Sequence, residues 1–302
     1  MITFSIVALD PDTKEIGVAV QSKYFSVGPG LTFAKAEVGA VATQSFTNVS
    51  FGSLGLELIE KGKSLEEIAT HFKEIDEGIE LRQYGLVNAK GDSYTFTGSS
   101  CLPWAGGKTG KYYACQGNIL TGSDVVDAMA QSFEQTSGSM ASRLVTALEA
   151  GQEKGGDSRG RQSAAIIVEQ KGQGREGYGD RKIDLRVEDH PTPIQELKRL
   201  LIIQEIETLA AALWTDKNLD TNQAISHLEE LINGQKSRPY DKGWITLAVL
   251  HFKKDDLVKA RQCLETCLDI NPLYKNILRY YPSLEIGFDE YFIQEYLEKE
   301  QK

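Results

Sequence analysis

A threonine stands at the head of an apolar run that begins almost at the first residue of the sequence. Thr3 is followed by residues 4–9, Phe-Ser-Ile-Val-Ala-Leu, which are typical of a buried strand. A threonine hydroxyl becomes a nucleophile when the free α-amine of the same residue accepts its proton. That amine titrates near neutral pH, at about 7.7 to 8.0. The position of Thr3 therefore suggests N-terminal-nucleophile chemistry, in which the hydroxyl attacks an amide carbonyl.

Met1 and Ile2 precede this threonine. An initiator methionine is normally removed only before a small residue, so we expect Ile2 to protect Met1. The nitrogen of Thr3 would then belong to an amide and have no basic lone pair. Catalysis by Thr3 therefore depends on the removal of both residues.

Three polar residues are candidates for helping Thr3. Asn118 can donate its side-chain amide to the charge that develops on the attacked carbonyl oxygen. Ser22 ends the predicted second strand and Gln44 lies on the third, so both are expected at the same end of the sheets as Thr3. The alternative for Asn118 is structural, in which it and Gln116 only tie strand ends together.

The glycine-rich segment 155–163 is predicted to line a binding site. Its glycines let the backbone come close to a ligand. The polar residues that crowd before the next buried strand are Asp157, Arg159, Arg161, Gln162 and Ser163. An arginine can hold a carboxylate or a phosphate through two parallel hydrogen bonds. The alternative is an internal ion pair between Asp157 and Arg159.

Cysteine and histidine residues give no pattern for a metal or a cofactor. The four cysteines, Cys101, Cys115, Cys263 and Cys267, have spacings that match neither a disulfide framework nor a zinc site. The histidines are scattered through the chain. We therefore predict no metal and no cofactor. Cys101 is a rival nucleophile, although the sequence shows no basic partner for it.

The charge of the chain argues against two classes of partner. The sequence has 43 acidic and 33 basic residues, for a net charge of -10, and no stretch combines basic with aromatic residues. We therefore expect neither a nucleic-acid partner nor an anionic membrane surface. No segment approaches the roughly 18 apolar residues of a membrane span, and no secretion signal is evident. These features predict a cytoplasmic protein.

The composition changes sharply near residue 190. Residues 1–190 are rich in glycine and in short β-prone runs, whereas residues 194–302 have few glycines and a helical period. The segment 190–193, His-Pro-Thr-Pro, separates the two halves, because proline disfavours helix in the residue before it. We predict a first domain over 1–190 and an all-helical domain over 194–302.

Within the first domain, the predicted order is strands, helices, strands, helices, strands. Strands are predicted over residues 4–9, 16–22, 39–46, 83–88, 93–97, 112–120, 163–170 and 182–187. A helix is predicted over 52–61, and a second one begins with a capping box at Ser64. Two further helices are predicted over 123–136 and 139–150, the latter with Gly151 as its C-cap. This order predicts an α+β fold, a four-layer αββα sandwich of two antiparallel sheets covered by helices.

Several segments together resemble one bacterial family, domain of unknown function 1028, over about residues 3–190. They are residues 3–8, 17–22, 39–44, 97–106, 116–120 and 155–164. The family is placed in the N-terminal-nucleophile hydrolase superfamily, so the resemblance implies the αββα fold, amide-bond hydrolysis and a site role for Asn118. Two departures stand out. Thr43 and Gln44 occupy the strand from which proteasome-like members project a lysine, and Ile2 is extra before Thr3.

The helical half has the spacing of a tetratricopeptide repeat. The matching residues are Trp244, Leu247, Ala248, His251, Ala260, Leu264, Cys267 and Pro272. Residues 209–231 look like a degenerate partner repeat. A lone repeat cannot bury its faces and should stack on neighbours. The tail is therefore either a groove for a peptide or protein partner or a packing and dimerisation module.

Two functions remain open at this point. The first is an N-terminal-nucleophile-type amidohydrolase that binds a small amide or peptide near Thr3, Asn118 and the segment 157–163. The second is a catalytically inactive binding or scaffold protein that uses the helical tail for interaction. A homo-oligomer is expected in either case, because a flat sandwich and an acidic repeat tail both offer self-complementary surfaces.

Overall fold

The computed structural model describes residues 3–216, 218–235, 238–284 and 287–299. Contacts divide the chain into two compact units, Met1–Lys198 and Arg199–Lys302. Within the described residues, no helix combines the length and the apolar character that a membrane crossing requires. The first unit contains both sheets, and the second is helical.

The first unit contains two antiparallel sheets, which confirms the predicted α+β class. The strands are β1 (Thr3–Leu9), β2 (Ile16–Ser22), β3 (Thr32–Lys35), β4 (Gly39–Ser45), β5 (Arg82–Asn88), β6 (Ser93–Thr97), β7 (Gly106–Gly110), β8 (Tyr113–Gly117), β9 (Ser163–Glu169) and β10 (Arg181–Val187). The larger sheet has the order β10-β9-β2-β1-β8-β7, and the smaller has the order β3-β4-β5-β6. Because β1 lies between β2 and β8, the first strand of the chain is central.

Eleven α-helices occur in the described residues. They are α1 (Gly28–Leu31), α2 (Ser50–Glu60), α3 (Leu65–Ile75), α4 (Asp124–Gln135), α5 (Met140–Glu153), α6 (Pro193–Thr215), α7 (Thr221–Asn233), α8 (Asp241–Lys253), α9 (Leu257–Ile270), α10 (Lys275–Leu278) and α11 (Glu290–Lys299). The predicted capping box is present at the start of α3. Ser64 accepts from the backbone of Glu67, whose side chain accepts from the backbone of Ser64.

The two sheets face each other across an apolar core. Val7 and Val18 of the larger sheet meet Ala42 and Val87 of the smaller sheet there, all fully buried. Small residues on the facing side of β4 let the two sheets come close. Burial of these side chains from both sheets is the main force that holds the sheets together.

Helices cover the outer faces. On the smaller sheet, the rings of Phe51 in α2 and Phe72 in α3 stack with centroids 4.0 Å apart, and Tyr84 of β5 meets Phe51 edge-on at 5.7 Å. On the larger sheet, Tyr113 of β8 lies 5.3 Å from Phe133 of α4. Aromatic pairs in these geometries add to the free energy gained by burial alone.

Gly151 does not cap a helix, so that prediction is wrong. Helix α5 continues to Glu153, and Gly151 lies within it. A Cβ at this position would come within 2.7 Å of Cγ of Met129 in α4. The glycine is therefore needed for the close packing of α4 against α5. The glycine with a positive φ after the end of α5 is Gly155, whose φ is 109°.

The second unit packs its helices around a separate apolar core. Ala248 of α8 and Ala260, Leu264 and Cys267 of α9 are fully buried there. The small side chains allow α8 and α9 to approach each other closely along their length. The N-cap of α9 is Asp256, which accepts a hydrogen bond from the backbone nitrogen of Lys259.

Candidate active site

The space between the sheets is apolar at one end and polar at the other. Side chains alternate along a strand, so Thr3 and Ser5 of β1 point to the same inner side as Val7 and Leu9. The polar residues that meet at this end are Thr3, Ser5, Ser22, Gln44, Gln83, Gln116 and Asn118, each at most 1% exposed. All of them are hydroxyl or amide side chains. We call this set the polar cluster.

Gln83 is the centre of the polar cluster. Its Oε1 accepts hydrogen bonds from Nε2 of Gln44 at 2.7 Å and from Nδ2 of Asn118 at 2.8 Å. Its Nε2 donates to the carbonyl oxygens of Gly117 at 2.7 Å and Gly106 at 3.2 Å. One side chain from the smaller sheet thus bonds to both sheets.

The amide orientations in the cluster follow from these carbonyls. A backbone carbonyl only accepts, so Nε2 of Gln83 must face Gly117 and its Oε1 must face the two donors. Ser5 Oγ then donates to Gln44 Oε1 at 2.6 Å and accepts from Gln116 Nε2 at 2.7 Å. The hydrogen bonds among the amide side chains and Ser5 therefore have a fixed direction.

Two oxygens are left at the ends of this chain of hydrogen bonds. Oε1 of Gln116 occupies the space beside Gly85, where a Cβ would lie only 2.1 Å from it. Oδ1 of Asn118 is buried and accepts no hydrogen bond from the residues that the structure describes. Buried acceptors are nearly always paired in folded proteins, so the unpaired oxygen of Asn118 marks a place where a donor belongs.

Thr3 lies at the edge of the cluster and is fully buried. Its Oγ1 lies 3.3 Å from Oγ of Ser22 on the neighbouring strand. Its backbone carbonyl accepts from the backbone nitrogen of Asn118 at 3.1 Å and from Nε2 of Gln44 at 3.2 Å. The structure thus brings Thr3, Ser22, Gln44 and Asn118 together. Met1 and Ile2, on which the availability of the amine depends, lie outside the described residues.

Ser163 uses its hydroxyl to hold the loop that follows β2. Its Oγ donates to the carbonyl of Tyr24 at 2.5 Å and accepts from the backbone nitrogen of Val27 at 3.1 Å. The side chain of Gln162 points away from the cluster and donates to Asp189 at 3.1 Å. Only the backbone of Gln162 contacts β2, through a bond from its nitrogen to the carbonyl of Ser22.

Asp157 and Arg159 form an ion pair beside the cluster. Oδ2 of Asp157 lies 2.9 Å from Nη2 of Arg159 and accepts from the backbone nitrogen of Lys23 at 3.0 Å. Oδ1 accepts from the backbone nitrogen of Arg159 at 3.0 Å. This is the internal ion pair that was the alternative to ligand binding by Arg159. The carboxylate also links the glycine-rich segment 155–163 to the end of β2.

The chain has strained backbone at three strand ends on this side. Ser26, Ser45 and Ile119 have φ values of 54°, 69° and 48°. Ser26 and Ile119 follow β2 and β8, and Ser45 is the last residue of β4. Left-handed backbone at non-glycine residues is costly, most of all for a β-branched residue, and it concentrates at functional sites. Two backbone hydrogen bonds hold Ile119. Its nitrogen donates to the carbonyl of Leu102 at 3.1 Å, and its carbonyl accepts from the nitrogen of Ser158 at 3.0 Å.

A second ion pair fixes the loop after β4. Asp76 accepts from Nε of Arg82 and from Nδ2 of Asn48, at 2.9 and 2.8 Å. These hydrogen bonds, that of Arg82 first, hold the pKa of Asp76 down at about 2, against the opposing effect of burial. Arg82 also donates to the carbonyl of Phe46 at 2.6 Å. The loop is thereby attached to the start of β5.

The rival nucleophile Cys101 sits in an environment that does not activate a thiol. Its Sγ donates to the carbonyl of Arg82 at 3.3 Å, and burial raises its pKa. The nucleophile of a thiol enzyme is the thiolate, which a raised pKa disfavours. Within the part of the chain that the structure describes, no three His, Cys, Asp or Glu side chains come together as metal ligands would.

Sequence reasoning missed two members of the polar cluster, Ser5 and Gln83. Each is a polar residue within an otherwise buried strand, and this is the signal that could have identified them. Ser5 interrupts the apolar run of β1, and Gln83 lies near the start of β5. A buried amide needs partners for both of its ends, so a glutamine on an inner strand predicts further polar residues opposite it.

The chain is similar to one protein family in both sequence and structure. The crystal structure of a protein from Silicibacter pomeroyi, assigned to the family model DUF1028, is 28% identical and superimposes with a TM-score of 0.61. The match covers 67% of this chain and 85% of that one. None of the curated proteins matches. The model of a family of unknown function, DUF1028, matches residues 3–197, well over half of the sequence. The chain therefore belongs to the DUF1028 family.

Proposed function

We propose that the first unit is an amidohydrolase of the N-terminal-nucleophile type that acts on a small amide or peptide, with Thr3 as nucleophile. The observation that carries the proposal is the position of Thr3 at the start of a central strand. There its hydroxyl lies 3.3 Å from Ser22 and its carbonyl is held by Asn118 and Gln44. Such fixed positioning is what a nucleophile requires.

In the proposed reaction, Oγ1 of Thr3 attacks the carbonyl carbon of the substrate and the α-amine of Thr3 takes the hydroxyl proton. The carbon–nitrogen bond of the substrate breaks, and the amine passes that proton to the leaving nitrogen. An ester on Thr3 remains. Water then attacks the ester, the amine accepts a proton from it, and the proton returns to Oγ1 as the acid departs.

The negative charge on the attacked oxygen needs a donor. Asn118 gives one hydrogen of Nδ2 to Gln83 and has a second one. We assign this second hydrogen to the oxyanion, as proposed from the sequence. The layer order of helices, sheet, sheet and helices also supports the proposal, because it is the αββα arrangement that the superfamily resemblance implies.

This function is tested by amino-terminal sequencing together with turnover. Purified protein is assayed for amine or ammonia release from small amides and short peptides. A mature chain that begins at Thr3 and is active supports the proposal. Thr3→Ala should then lower turnover by at least about 1,000-fold, whereas Cys101→Ala should not change it. Unchanged turnover in Thr3→Ala would eliminate Thr3 as nucleophile.

A second candidate is a binding role for the helical unit, favoured by one groove. The groove has a volume of about 340 Å³ between α7, α8 and α9, and its lining includes Glu229, Trp244, His251, Lys259 and Cys263. His251 is only 4% exposed, and burial lowers its pKa, so it is neutral at pH 7. We propose that α8 and α9 form the tetratricopeptide-like repeat and that this groove takes a peptide segment.

The binding role is tested by selecting a random peptide library on the full chain. Selected peptides are then titrated against Trp244→Ala, which removes the ring in the groove, and against Tyr178→Ala, an exposed aromatic residue in the first unit. Loss of affinity in the first variant alone supports the groove. Equal affinity in both variants contradicts it.

A further inference from the structure

Exposed apolar side chains lie in the loops that adjoin the polar cluster. Ser22 and Gln44, which both bond to Thr3, stand two residues before Tyr24 and Phe46. The side chains concerned are Tyr24 (46% exposed), Phe25 (61%), Phe46 (54%), Val49 (46%) and Leu102 (47%). We call these five residues the apolar rim. Single exposed apolar residues are ordinary, but a group of them around one site indicates a binding surface.

The loops that present the apolar rim are anchored. Ser163 bonds to the carbonyl of Tyr24, and Arg82 bonds to the carbonyl of Phe46. The carbonyl of Leu102 accepts from the nitrogen of Ile119, directly after Asn118. The loops of the rim are therefore anchored beside the cluster, by β9, by β5 and by the residue that follows Asn118.

The polar cluster can accept a hydrogen bond from a ligand but offers no unpaired carboxylate for a charged group. Oδ1 of Asn118 is a buried acceptor without a partner in the described part of the chain, and the direction of the hydrogen bonds through Gln83 fixes it as an oxygen. The neighbouring carboxylates are already engaged. Asp157 is bound by Arg159 and the nitrogen of Lys23, and Asp76 is bound by Arg82.

We propose that the site takes an uncharged amide with an apolar substituent. The ligand's N–H donates to Oδ1 of Asn118, and its substituent lies on the apolar rim. The inference rests on the proposed function in that it places the amide beside Thr3. It goes further by naming the substrate class and the residues that select it. A cationic ligand would lose its hydration without gaining a free counter-charge from Asp157 or Asp76, and a carboxylate would place its own acceptor oxygens against Oδ1 of Asn118.

The test measures binding without turnover. Thr3→Ala protein is titrated calorimetrically with hexanamide, acetamide, hexanoate and N,N-dimethylhexanamide. Because Thr3 is buried, both the full chain and a chain that starts at position 3 are used. Hexanamide should bind at least about tenfold more tightly than acetamide, because its chain covers the rim. N,N-dimethylhexanamide, which lacks an N–H, should bind at least about tenfold more weakly than hexanamide.

Variants then locate the ligand. Phe25→Ser and Phe46→Ser change exposed residues, so both are expected to fold, and each should reduce the preference for hexanamide over acetamide by about threefold or more. Tyr178→Ser, 84% exposed, is the matched control and should leave the preference unchanged. Asn118→Ala should abolish the difference between hexanamide and its dimethyl analogue. If Asn118→Ala does not fold, the two ligands alone decide this point.

Three results would overturn the inference. They are hexanoate binding as tightly as hexanamide, affinity that does not depend on the N–H or on chain length, and absence of binding to both chains. A change of oligomeric state in Phe25→Ser or Phe46→Ser with unchanged ligand preference would assign the rim to a second copy instead. Failure of the proposed function looks different, because hexanamide would then bind as expected while the unmutated protein released no ammonia from it.

Discussion

Nδ2 of Asn118 lies 2.8 Å from Oε1 of Gln83, so an amide from the end of β8 is bonded to an amide near the start of β5 across the gap between the sheets. This contact joins the two sheets where their apolar core ends. It also sets which atom of Asn118 has no partner among the described residues. The stability of the sandwich and the chemistry proposed for the site therefore depend on the same bond.

Replacing Gln83 by leucine should destabilise the first unit strongly. The change leaves the donors of Gln44 and Asn118 and the carbonyls of Gly106 and Gly117 with fewer partners in a buried space. We expect a loss of about 3 kcal/mol in the free energy of unfolding, measured by urea denaturation. Gln162→Leu, whose side chain lies outside the cluster, is the control. A loss below about 1 kcal/mol in Gln83→Leu would contradict the central role of Gln83.

Gly85 and Gln116 should be energetically coupled. A Cβ at position 85 would lie 2.1 Å from Oε1 of Gln116, so Gly85→Ala must displace that side chain from its bonds to Ser5. We expect Gly85→Ala to cost about 2 kcal/mol alone and clearly less in a Gln116→Ala background. Gly122→Ala, where a Cβ meets nothing within 4 Å, is the control. Additive effects at 85 and 116 would refute the coupling.

The ion pair of Asp76 should make stability depend on acid pH. Hydrogen bonds from Arg82 lower the pKa of Asp76 from 3.8 to about 2 in the folded protein. The folded state thus binds a proton less readily than the unfolded chain. The stabilisation is fully present above about pH 4 and is lost as the pH falls toward 2. Asp76→Asn should cost about 2 kcal/mol at pH 6, as measured by urea denaturation.

The difference between Asp76→Asn and the unmutated protein should narrow below pH 4. Asp12→Asn, at an exposed turn, should show no such dependence. A difference that stays constant between pH 6 and pH 3 would show that the carboxylate of Asp76 is not held by its charge.

The cysteines should be unreactive in the folded protein. All four are buried, and burial raises the pKa of Cys263 to about 11 and that of Cys267 to about 12. At pH 8 each should therefore be a thiol. We expect a chromogenic disulfide reagent to label none rapidly in the native state and four after unfolding. Fast labelling of Cys101 in the native protein would contradict this prediction and would support Cys101 as the nucleophile instead of Thr3.

Apolar patterning predicted most of the strands and failed for two short ones. The strand β7 is Gly-Gly-Lys-Thr-Gly, which lacks the β-branched and aromatic residues that indicate a strand. Its glycines serve a tertiary contact instead, because a Cβ at Gly107 would meet Thr95 of the opposite sheet at 2.6 Å. The strand β3 has only four residues, too few for an alternating pattern to be recognised.

The sequence predicted that Thr3, Ser22, Gln44 and Asn118 lie near one another, but it did not predict Ser5 and Gln83 or the hydrogen bonds that join the polar cluster. Thr3 and Ser22 could be placed together because neighbouring antiparallel strands share their ends, whereas Gln44 was expected there because it lies near the end of the third predicted strand. The central role of Gln83 depends on β5 facing β8 across the sandwich, which is a contact between sheets and leaves no local pattern. The side chain of Gln162 could not be placed for a related reason, since its direction depends on Asp189 in the segment after β10.

The central position of β1 also sets the order of events during synthesis. Ser5 bonds to Gln116, which is 111 residues later in the chain. At typical translation speeds β8 leaves the ribosome on the order of ten seconds after β1. A peptidase that trims the nascent chain in front of Thr3 would have this interval before the completed sheet encloses the threonine.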